Sequence, residues 1–145
     1  MEKSFGIVPY LFYQNRIWIY IYENKNEEFL FFKGKQEKDE TIKETAIREF
    51  YEETNIKIKK EYLEKYFETK TKNKKIGLFL VNAKNINEFF ENKNKVEDIY
   101  KRVWIECDLE YKNRFVKNQR ELFNKICNEL KKDKYKIVNN FFKNF

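Results

Sequence analysis

Histidine is absent from this chain of 145 residues. The protein therefore has no imidazole to act as a general base, a proton shuttle or a metal ligand. A metal site in such a chain must use oxygen ligands, and oxygen ligands favour magnesium or manganese over zinc.

Cysteine, glycine and proline are scarce, with 2, 3 and 1 residues respectively. Cys107 and Cys127 lie far apart in the sequence and match no metal-binding spacing, so we expect two reduced thiols in a cytoplasmic protein. No apolar run approaches the roughly 20 residues that a membrane helix needs. Residues 1–6 lack the pattern of a signal peptide. We therefore expect no membrane partner.

What the chain does contain is enough apolar material for one folded domain. Hydrophobic residues make up 41% and aromatic residues 19% of the sequence, although 38% of it is charged. We expect a single domain over residues 1–130, followed by a basic and aromatic tail or helix extension over residues 131–145. The net charge of +7 has two interpretations that remain open. It indicates a polyanionic partner, or it reflects the lysine- and asparagine-rich composition that an AT-rich genome produces.

The hydrophobic patterns predict an alternation of strands and helices. Pro9 favours an edge strand or a bulge for the first strand, and residues 85–95 read as a polar loop. One helix is predicted over residues 39–54, and another begins near Arg114. Strands are predicted over residues 5–12, 16–22, 29–32, 56–58, 62–69, 75–83 and 102–106. This order indicates an α+β sandwich with a mixed sheet.

The first of these helices carries an unusual charge pattern. Glu49, Glu52 and Glu53 are spaced by three and four residues, so a helix brings them onto one face. Carboxylates packed in this way repel one another unless a cation neutralises them. The pattern therefore predicts a cation site.

The surrounding residues extend this pattern into a known signature. Gly34 is followed after five residues by Glu40, and seven residues later the chain reads Arg-Glu-Phe-Tyr-Glu-Glu over residues 48–53. This stretch resembles the Nudix box, in which a late glycine usually stands where this chain has Asn55. Asparagine is the commonest substitute for glycine in the left-handed conformation at a helix end, so we expect Asn55 to fulfil the same role.

The resemblance implies a fold and an activity. The fold is the Nudix α/β/α sandwich, with a mixed β-sheet, a loop-helix-loop formed by the box and a C-terminal helix. The activity is metal-dependent hydrolysis of a diphosphate linkage, with Mg²⁺ or Mn²⁺ as the cofactor. By resemblance, Glu49, Glu52 and Glu53 are the catalytic and metal-binding residues, and the carbonyl of Gly34 is a further ligand.

The resemblance also suggests roles for residues around these ligands. Glu40 and Arg48 are expected to give structural support to the box, and Lys33 and Lys35 to bind phosphate. Many relatives recruit an additional acidic ligand from a loop outside the box. Glu97 is the candidate for that ligand, and a solvated loop glutamate is the alternative interpretation.

The substrate class expected from the resemblance is a nucleotide polyphosphate. Residues 32–35 are similar to the start of the box in diadenosine tetraphosphate hydrolases and mRNA-decapping enzymes, which favours a dinucleoside polyphosphate or the 5′ end of an RNA. The alternatives are a pyrophosphatase that removes free nucleoside triphosphates and a Nudix-fold module that binds nucleotide or RNA without cleaving it. Nothing in the sequence indicates the oligomeric state.

Overall fold

The computed structural model of the chain describes residues 1–91 and 101–143, with side chains described as far as residue 137. Within this part of the chain, seven strands form one mixed sheet. The strands are β1 (Glu2–Tyr13), β2 (Arg16–Glu23), β3 (Phe29–Leu30), β4 (Phe32–Lys35), β5 (Tyr66–Lys70), β6 (Lys74–Asn82) and β7 (Lys101–Glu106). Two α-helices accompany them: α1 (Ile42–Thr54) and α2 (Arg120–Lys143).

The sheet is built around β1. The strand order is β3-β2-β1-β6-β5, while β4 pairs with β1 and β7 pairs with β2. Among the strand pairs of the described chain, β1 and β6 run parallel and the others run antiparallel. The predicted α+β fold with a mixed sheet and a C-terminal helix is confirmed.

Pro9 occupies a central strand, so the expectation of an edge strand or a bulge is wrong. The physical reason is a change of partner along β1. Residues 4–7 of β1 pair with β4, and residues 10–13 pair with β2. Pro9 lies in the interval between these two ladders, where neither antiparallel neighbour pairs with it. A residue without an N–H is therefore tolerated in the middle of the sheet.

The helix α1 is defined by its caps. The hydroxyl of Thr41 accepts a hydrogen bond from the backbone N–H of Glu44, whose carboxylate accepts one from the N–H of Thr41, completing a capping box. At the other end Asn55 has φ 61° and ψ 20°, and its N–H donates to the carbonyl of Tyr51. The expectation that Asn55 adopts the left-handed conformation is confirmed.

The structure also differs from the sequence prediction at the C-terminal helix and at residues 56–58. The C-terminal helix begins at Arg120 rather than near Arg114, because two short 3-10 helices (Leu109–Arg114 and Lys117–Gln119) precede it. Residues 56–58 form no strand; Ile56 and Ile58 are instead buried in the core beside α1. The alternation of apolar and polar residues at positions 56–58 arises because Ile56 and Ile58 are buried in the core, not because the segment pairs with a strand. None of the described helices is long and apolar enough to cross a membrane.

A separate hydrophobic core covers each face of the sheet. On the α1 face, Phe5, Ile7, Phe32 and Phe79 pack against Phe50 of the helix. On the α2 face, the sheet packs against the other helix through residues that include Ile19, Leu78, Phe123, Ile126 and Leu130. The free thiols of Cys107 and Cys127 lie together in this second core, where their mutual hydrogen bond and burial raise the pKa of Cys107.

The three glycines of the chain gather at one point of the sheet. Gly34 of β4 and Gly77 of β6 both lie opposite Phe5 of β1, and Gly6 is its neighbour in the chain. None of the three has a positive φ. The described residues that do have a positive φ carry side chains: Gln14, Asn15, Glu27, Asp39 and Asn55. Glycine in this chain therefore provides space, not turns.

Candidate active site

The carboxylate of Glu49 lies directly over Gly34. A Cβ atom added to Gly34 would lie 1.9 Å from the carboxyl carbon of Glu49 and 2.1 and 2.3 Å from its two oxygens. Any side chain at this position would displace either the strand or the glutamate. The missing side chain of Gly34 thus creates the space in which α1 presents a carboxylate to β4.

Arg48 connects the carboxylates of the site. Its Nε donates to Glu40 Oε2 at 2.6 Å, and its Nη1 donates to Glu49 Oε1 at 2.9 Å and to Glu52 Oε1 at 3.3 Å. Its Nη2 donates to the Lys35 carbonyl and to Glu40 Oε1, both at 3.0 Å. The planar guanidinium can serve several acceptors at once because its donors form a rigid fork. These contacts raise the pKa of Arg48, with the hydrogen bond to Glu40 as the largest cause.

Glu40 stabilises the loop between β4 and α1 by accepting several hydrogen bonds. Besides Arg48, it accepts hydrogen bonds from the backbone N–H of Glu37 at 3.0 Å and the hydroxyl of Thr45 at 2.9 Å, and its carbonyl accepts one from Gln36. The hydrogen bond from Arg48 is the main cause that lowers the pKa of Glu40 to about 2. A carboxylate held in this way stays ionised and fixes the loop that follows Gly34.

The three box glutamates differ in exposure. The side chain of Glu49 is 17% exposed and that of Glu52 is 55% exposed, while Glu53 is half-buried. In residues 1–91 and 101–137, no three acidic or cysteine side chains gather closely enough to hold a metal ion. The positive charge nearest to Glu49 and Glu52 is the guanidinium of Arg48.

A hard divalent cation nevertheless fits the chemistry of this donor set. Carboxylate oxygens are the ligands that magnesium and manganese prefer. The space above Gly34 already admits one carboxylate, that of Glu49. Glu52 is exposed enough to change its rotamer.

The two lysines that flank Gly34 are placed differently from the glutamates. Successive side chains of a strand point to opposite faces, so Lys33 and Lys35 leave β4 on the side opposite to Glu49. Burial is the largest cause that lowers the pKa of Lys33, while Glu53 and Glu49 are near enough to oppose that shift. Lys35 is exposed, and its ammonium lies 4.0 Å from the carboxylate of Glu2. Glu97 lies outside the described residues.

A cleft of about 230 Å³ on the α1 face is lined by aromatic side chains that sequence reasoning could not select. Its walls are Leu11, Tyr13, Trp18, Phe90 and Trp104. The ring of Trp104 lies 5.0 Å from that of Tyr20, which in turn packs on Phe32. The alternation of Trp18, Tyr20 and Tyr22 along β2 was visible in the sequence. Their pairing with β7 was not, because it joins distant parts of the chain.

Comparisons with known proteins agree on one family. A model described as the NUDIX domain matches residues 11–126 of the sequence. No curated protein matches it. Many solved structures resemble the fold, and three of them illustrate the range.

These three are distant in sequence and similar in fold. An Ap4A hydrolase from C. elegans has a TM-score of 0.61 and 20% identity, covering 90% of this chain and 98% of its own. A Nudix hydrolase from M. smegmatis has a TM-score of 0.68 and 9% identity, covering 90% and 86%. A MutT protein from Bacillus halodurans has a TM-score of 0.58 and 14% identity, covering 88% and 82%. At such identities the likeness concerns the fold.

Proposed function

The chain belongs to the Nudix family of hydrolases, and from this premise we propose that it hydrolyses a diphosphate linkage in a nucleotide polyphosphate with the help of Mg²⁺ or Mn²⁺. The favoured substrates are dinucleoside polyphosphates and the 5′ end of RNA. The observation that carries the proposal is the Glu49 carboxylate directly above Gly34, joined through Arg48 to the carboxylates of Glu40 and Glu52.

The charge of this cluster supports a metal-dependent reaction. A single arginine cannot neutralise three carboxylates, so the site keeps an excess of negative charge. A polyphosphate is itself strongly negative and would be repelled by such a surface. A divalent cation bound between protein and substrate removes this conflict, because it is attracted to both.

We assign separate roles to the residues of the site. Glu49, Glu52 and Glu53, with the carbonyl of Gly34, would hold the cation. When bound, the cation polarises the phosphoryl oxygens and acidifies a water molecule. Arg48 and Glu40 are positioning residues, because they hold the carboxylates and the loop that follows Gly34.

The aromatic cleft supports a long substrate. Leu11 is six residues further along β1 than Phe5, the residue opposite Gly34. At the rise of a β-strand this separates Leu11 from Phe5 by about 20 Å. A base stacked near Leu11 would therefore reach the carboxylates only through a long chain of phosphates or nucleotides. Dinucleoside polyphosphates and RNA ends are long enough, which favours them over free nucleoside triphosphates.

A phosphate-release assay with Mg²⁺ or Mn²⁺ tests the proposal. The panel should contain diadenosine tetraphosphate, triphosphorylated and capped RNA, nucleoside triphosphates, ADP-ribose and inositol pyrophosphates. We expect turnover of diadenosine tetraphosphate or triphosphorylated RNA that ceases when EDTA removes the metal. Binding of these nucleotides without release of any product would instead establish a binding module.

Two conservative substitutions test the assigned ligands. Glu52→Gln and Glu53→Gln should each reduce kcat by about 100-fold or more, the scale expected when one stabilising group of a charged transition state is removed. Glu61→Gln, an exposed change outside the box, is the matched control. If both box variants keep the wild-type rate, the metal assignment is wrong.

A further inference from the structure

Three lysines lie side by side across three neighbouring strands of the sheet. Lys3 of β1 is opposite Lys75 of β6, and Lys75 is opposite Lys70 of β5. Residues directly opposite one another project from the same face of a sheet. We call Lys3, Lys70 and Lys75 the lysine row.

The lysine row projects from the α1 face, the face that also carries the candidate active site. Phe5 is two residues after Lys3 and belongs to the core beneath α1. Because side chains alternate along a strand, Lys3 lies on the same face as Phe5. The other two lysines share this face through their register with Lys3.

Such a row is unfavourable for the isolated protein. Like charges directly opposite one another destabilise a sheet. Among the described side chains, one glutamate pairs with the row: Glu68 Oε1 lies 3.1 Å from Lys75 Nζ. Lys3 and Lys70 are exposed and make no ion pair with any side chain of residues 1–91 or 101–137. The row therefore has a surplus of positive charge that an anion would neutralise.

The row lies next to the carboxylates and on the side away from the aromatic cleft. Gly34 is opposite Phe5, and Lys3 precedes Phe5 by two residues. Two residues of a strand span about 7 Å. The cleft lies in the other direction along β1, at Leu11 and Tyr13. A chain of phosphates bound at the carboxylates would therefore have the lysines within reach of its far end.

We propose that Lys3, Lys70 and Lys75 bind the phosphate groups that lie beyond the hydrolysed linkage, so that the preferred substrates contain a chain of at least three phosphates. This inference rests on the proposed hydrolase function and narrows its substrate class. Dinucleoside polyphosphates and triphosphorylated RNA both offer such a chain. Compounds with a single diphosphate, such as ADP-ribose, have no phosphate to place on the row.

Inorganic tripolyphosphate and pyrophosphate are the probes that test the row directly. The double variant Lys3→Gln/Lys70→Gln removes the two lysines that form no ion pair within the described part of the chain, and it leaves Lys75 with Glu68. Two exposed charge contacts correspond to an expected loss of about 5- to 10-fold in tripolyphosphate affinity at low salt, and the loss should shrink as salt is added. Pyrophosphate binding should change by less than about 2-fold, since two phosphates can bind at the carboxylates near Gly34 without reaching the lysine row.

Lys131→Gln/Lys132→Gln is the matched control. It removes the same charge from two exposed positions of α2 and should leave both affinities unchanged. An equal loss in this control would attribute the effect to net charge and overturn the proposal. Equal weakening of tripolyphosphate and pyrophosphate by the lysine-row variant would also overturn it.

Kinetics separate the two candidate sources of the phosphate chain. In the lysine-row variant, KM should rise about 5- to 10-fold with kcat unchanged for diadenosine tetraphosphate, for a five-nucleotide triphosphorylated RNA, or for both. The substrate whose KM responds is the one that uses the row. If wild type hydrolyses these compounds and neither KM changes in the variant, the proposed role of the lysine row is wrong and the proposed hydrolase function is retained. If wild type hydrolyses nothing while tripolyphosphate binding still depends on the lysine row, the proposed hydrolase function is wrong and the row is retained as a binding site for a phosphate chain.

Discussion

Arg48 and Lys65 each hold several carboxylates, yet the two clusters have different surroundings. Arg48 is 25% exposed, and its partner Glu40 is 16% exposed. Lys65, just before β5, is 48% exposed and pairs with Glu129 and Asp133 of α2. Both clusters contain more negative than positive side chains. The Arg48 cluster lies above a glycine, and the Lys65 cluster lies on an ordinary surface.

An excess of carboxylates indicates a binding site only together with its surroundings. The Lys65 cluster joins a helix to the start of an edge strand, and exposed ion pairs of this kind contribute about 0–1 kcal/mol. Water can solvate its unpaired charge. The Arg48 cluster presses Glu49 into a space that exists because Gly34 has no side chain. A carboxylate enclosed in this way, with two further glutamates on the same helix, is expected where a cation binds.

The largest effect should come from filling the space above Gly34. In Gly34→Ala the new Cβ would overlap the Glu49 carboxylate, so either β4 or Glu49 must move. We expect kcat to fall by about 100-fold or more, since misplacement by about 1 Å can cost that much. A double-mutant cycle with Glu49→Ala tests whether the overlap with Glu49 causes the loss. The unfolding penalty of Gly34→Ala should largely disappear in the Glu49→Ala background, and an undiminished penalty would rule out this overlap.

The second-largest effect should come from replacing Arg48 by lysine, with the replacement of Lys65 by arginine as its counterpart. Arg48→Lys cannot serve Glu40, Glu49 and the Lys35 carbonyl together, because an ammonium lacks the planar fork. We expect a loss of about 10- to 100-fold in kcat or in Mg²⁺ affinity, as for other residues that orient metal ligands. Lys65→Arg is the control and should leave both unchanged. Equal behaviour of the two variants would show that the clusters do not differ.

Glu40 should give the Arg48 cluster a distinctive dependence of stability on pH. Arg48 is the main cause that lowers the pKa of Glu40 from 4.5 to about 2 in the folded protein. A carboxyl group whose pKa is lower in the folded state stabilises that state fully above its unfolded pKa, and the contribution is lost as the pH falls through the folded pKa. The free energy of unfolding should therefore drop between pH 4.5 and about 2.

Glu40→Gln isolates this contribution. The variant should be less stable than wild type at pH 7 by about 1–3 kcal/mol, the scale for hydrogen bonds to charged groups. The difference between the two proteins should shrink as the pH falls from 4.5 to about 2. Chemical denaturation at several pH values measures it. A difference that is constant over this range would mean that Glu40 does not titrate as the Arg48 contacts require.

The smallest effect should come from removing the surface cluster. Lys65→Met should change the free energy of unfolding by less than about 1 kcal/mol. Turnover should stay at the wild-type level, because Glu129 and Asp133 lie on α2, across the sheet from Gly34. Thermal denaturation and a standard assay suffice as measurements. A loss of activity here would show that the α2 face contributes to the reaction.

Local chemistry made much of the candidate site predictable. The spacing of Gly34, Glu40, Arg48 and the glutamates is a property of one continuous segment, and a helix converts spacing into a shared face. The cap at Asn55 was predictable for the same reason, since asparagine tolerates the left-handed conformation. The structure adds the overlap that makes Gly34 necessary and the bonds through which Arg48 connects the loop to the helix.

Features that depend on strand pairing could not be predicted. The lysine row exists because β1, β5 and β6 are aligned in a particular register. The aromatic cleft needs Trp18 and Trp104 from strands more than eighty residues apart, and Cys107 meets Cys127 only after α2 packs on the sheet. The prediction for Pro9 is wrong because its strand exchanges one antiparallel partner for another at that point. Sequence reports register poorly, since pairing joins distant segments.

The distribution of glycine has a consequence for engineering this protein. Left-handed backbone costs a residue with a side chain about 1–2 kcal/mol, and Gln14, Glu27 and Asp39 all adopt it. Glycine at these turns would relieve that strain, against a loss of about 0.5–1 kcal/mol in backbone entropy. At Gly6 and Gly34 the reverse exchange is blocked by atoms within 2.0 Å of a new Cβ. The turns can therefore be redesigned for thermal resistance, while the crowded centre of the sheet must be left as it is.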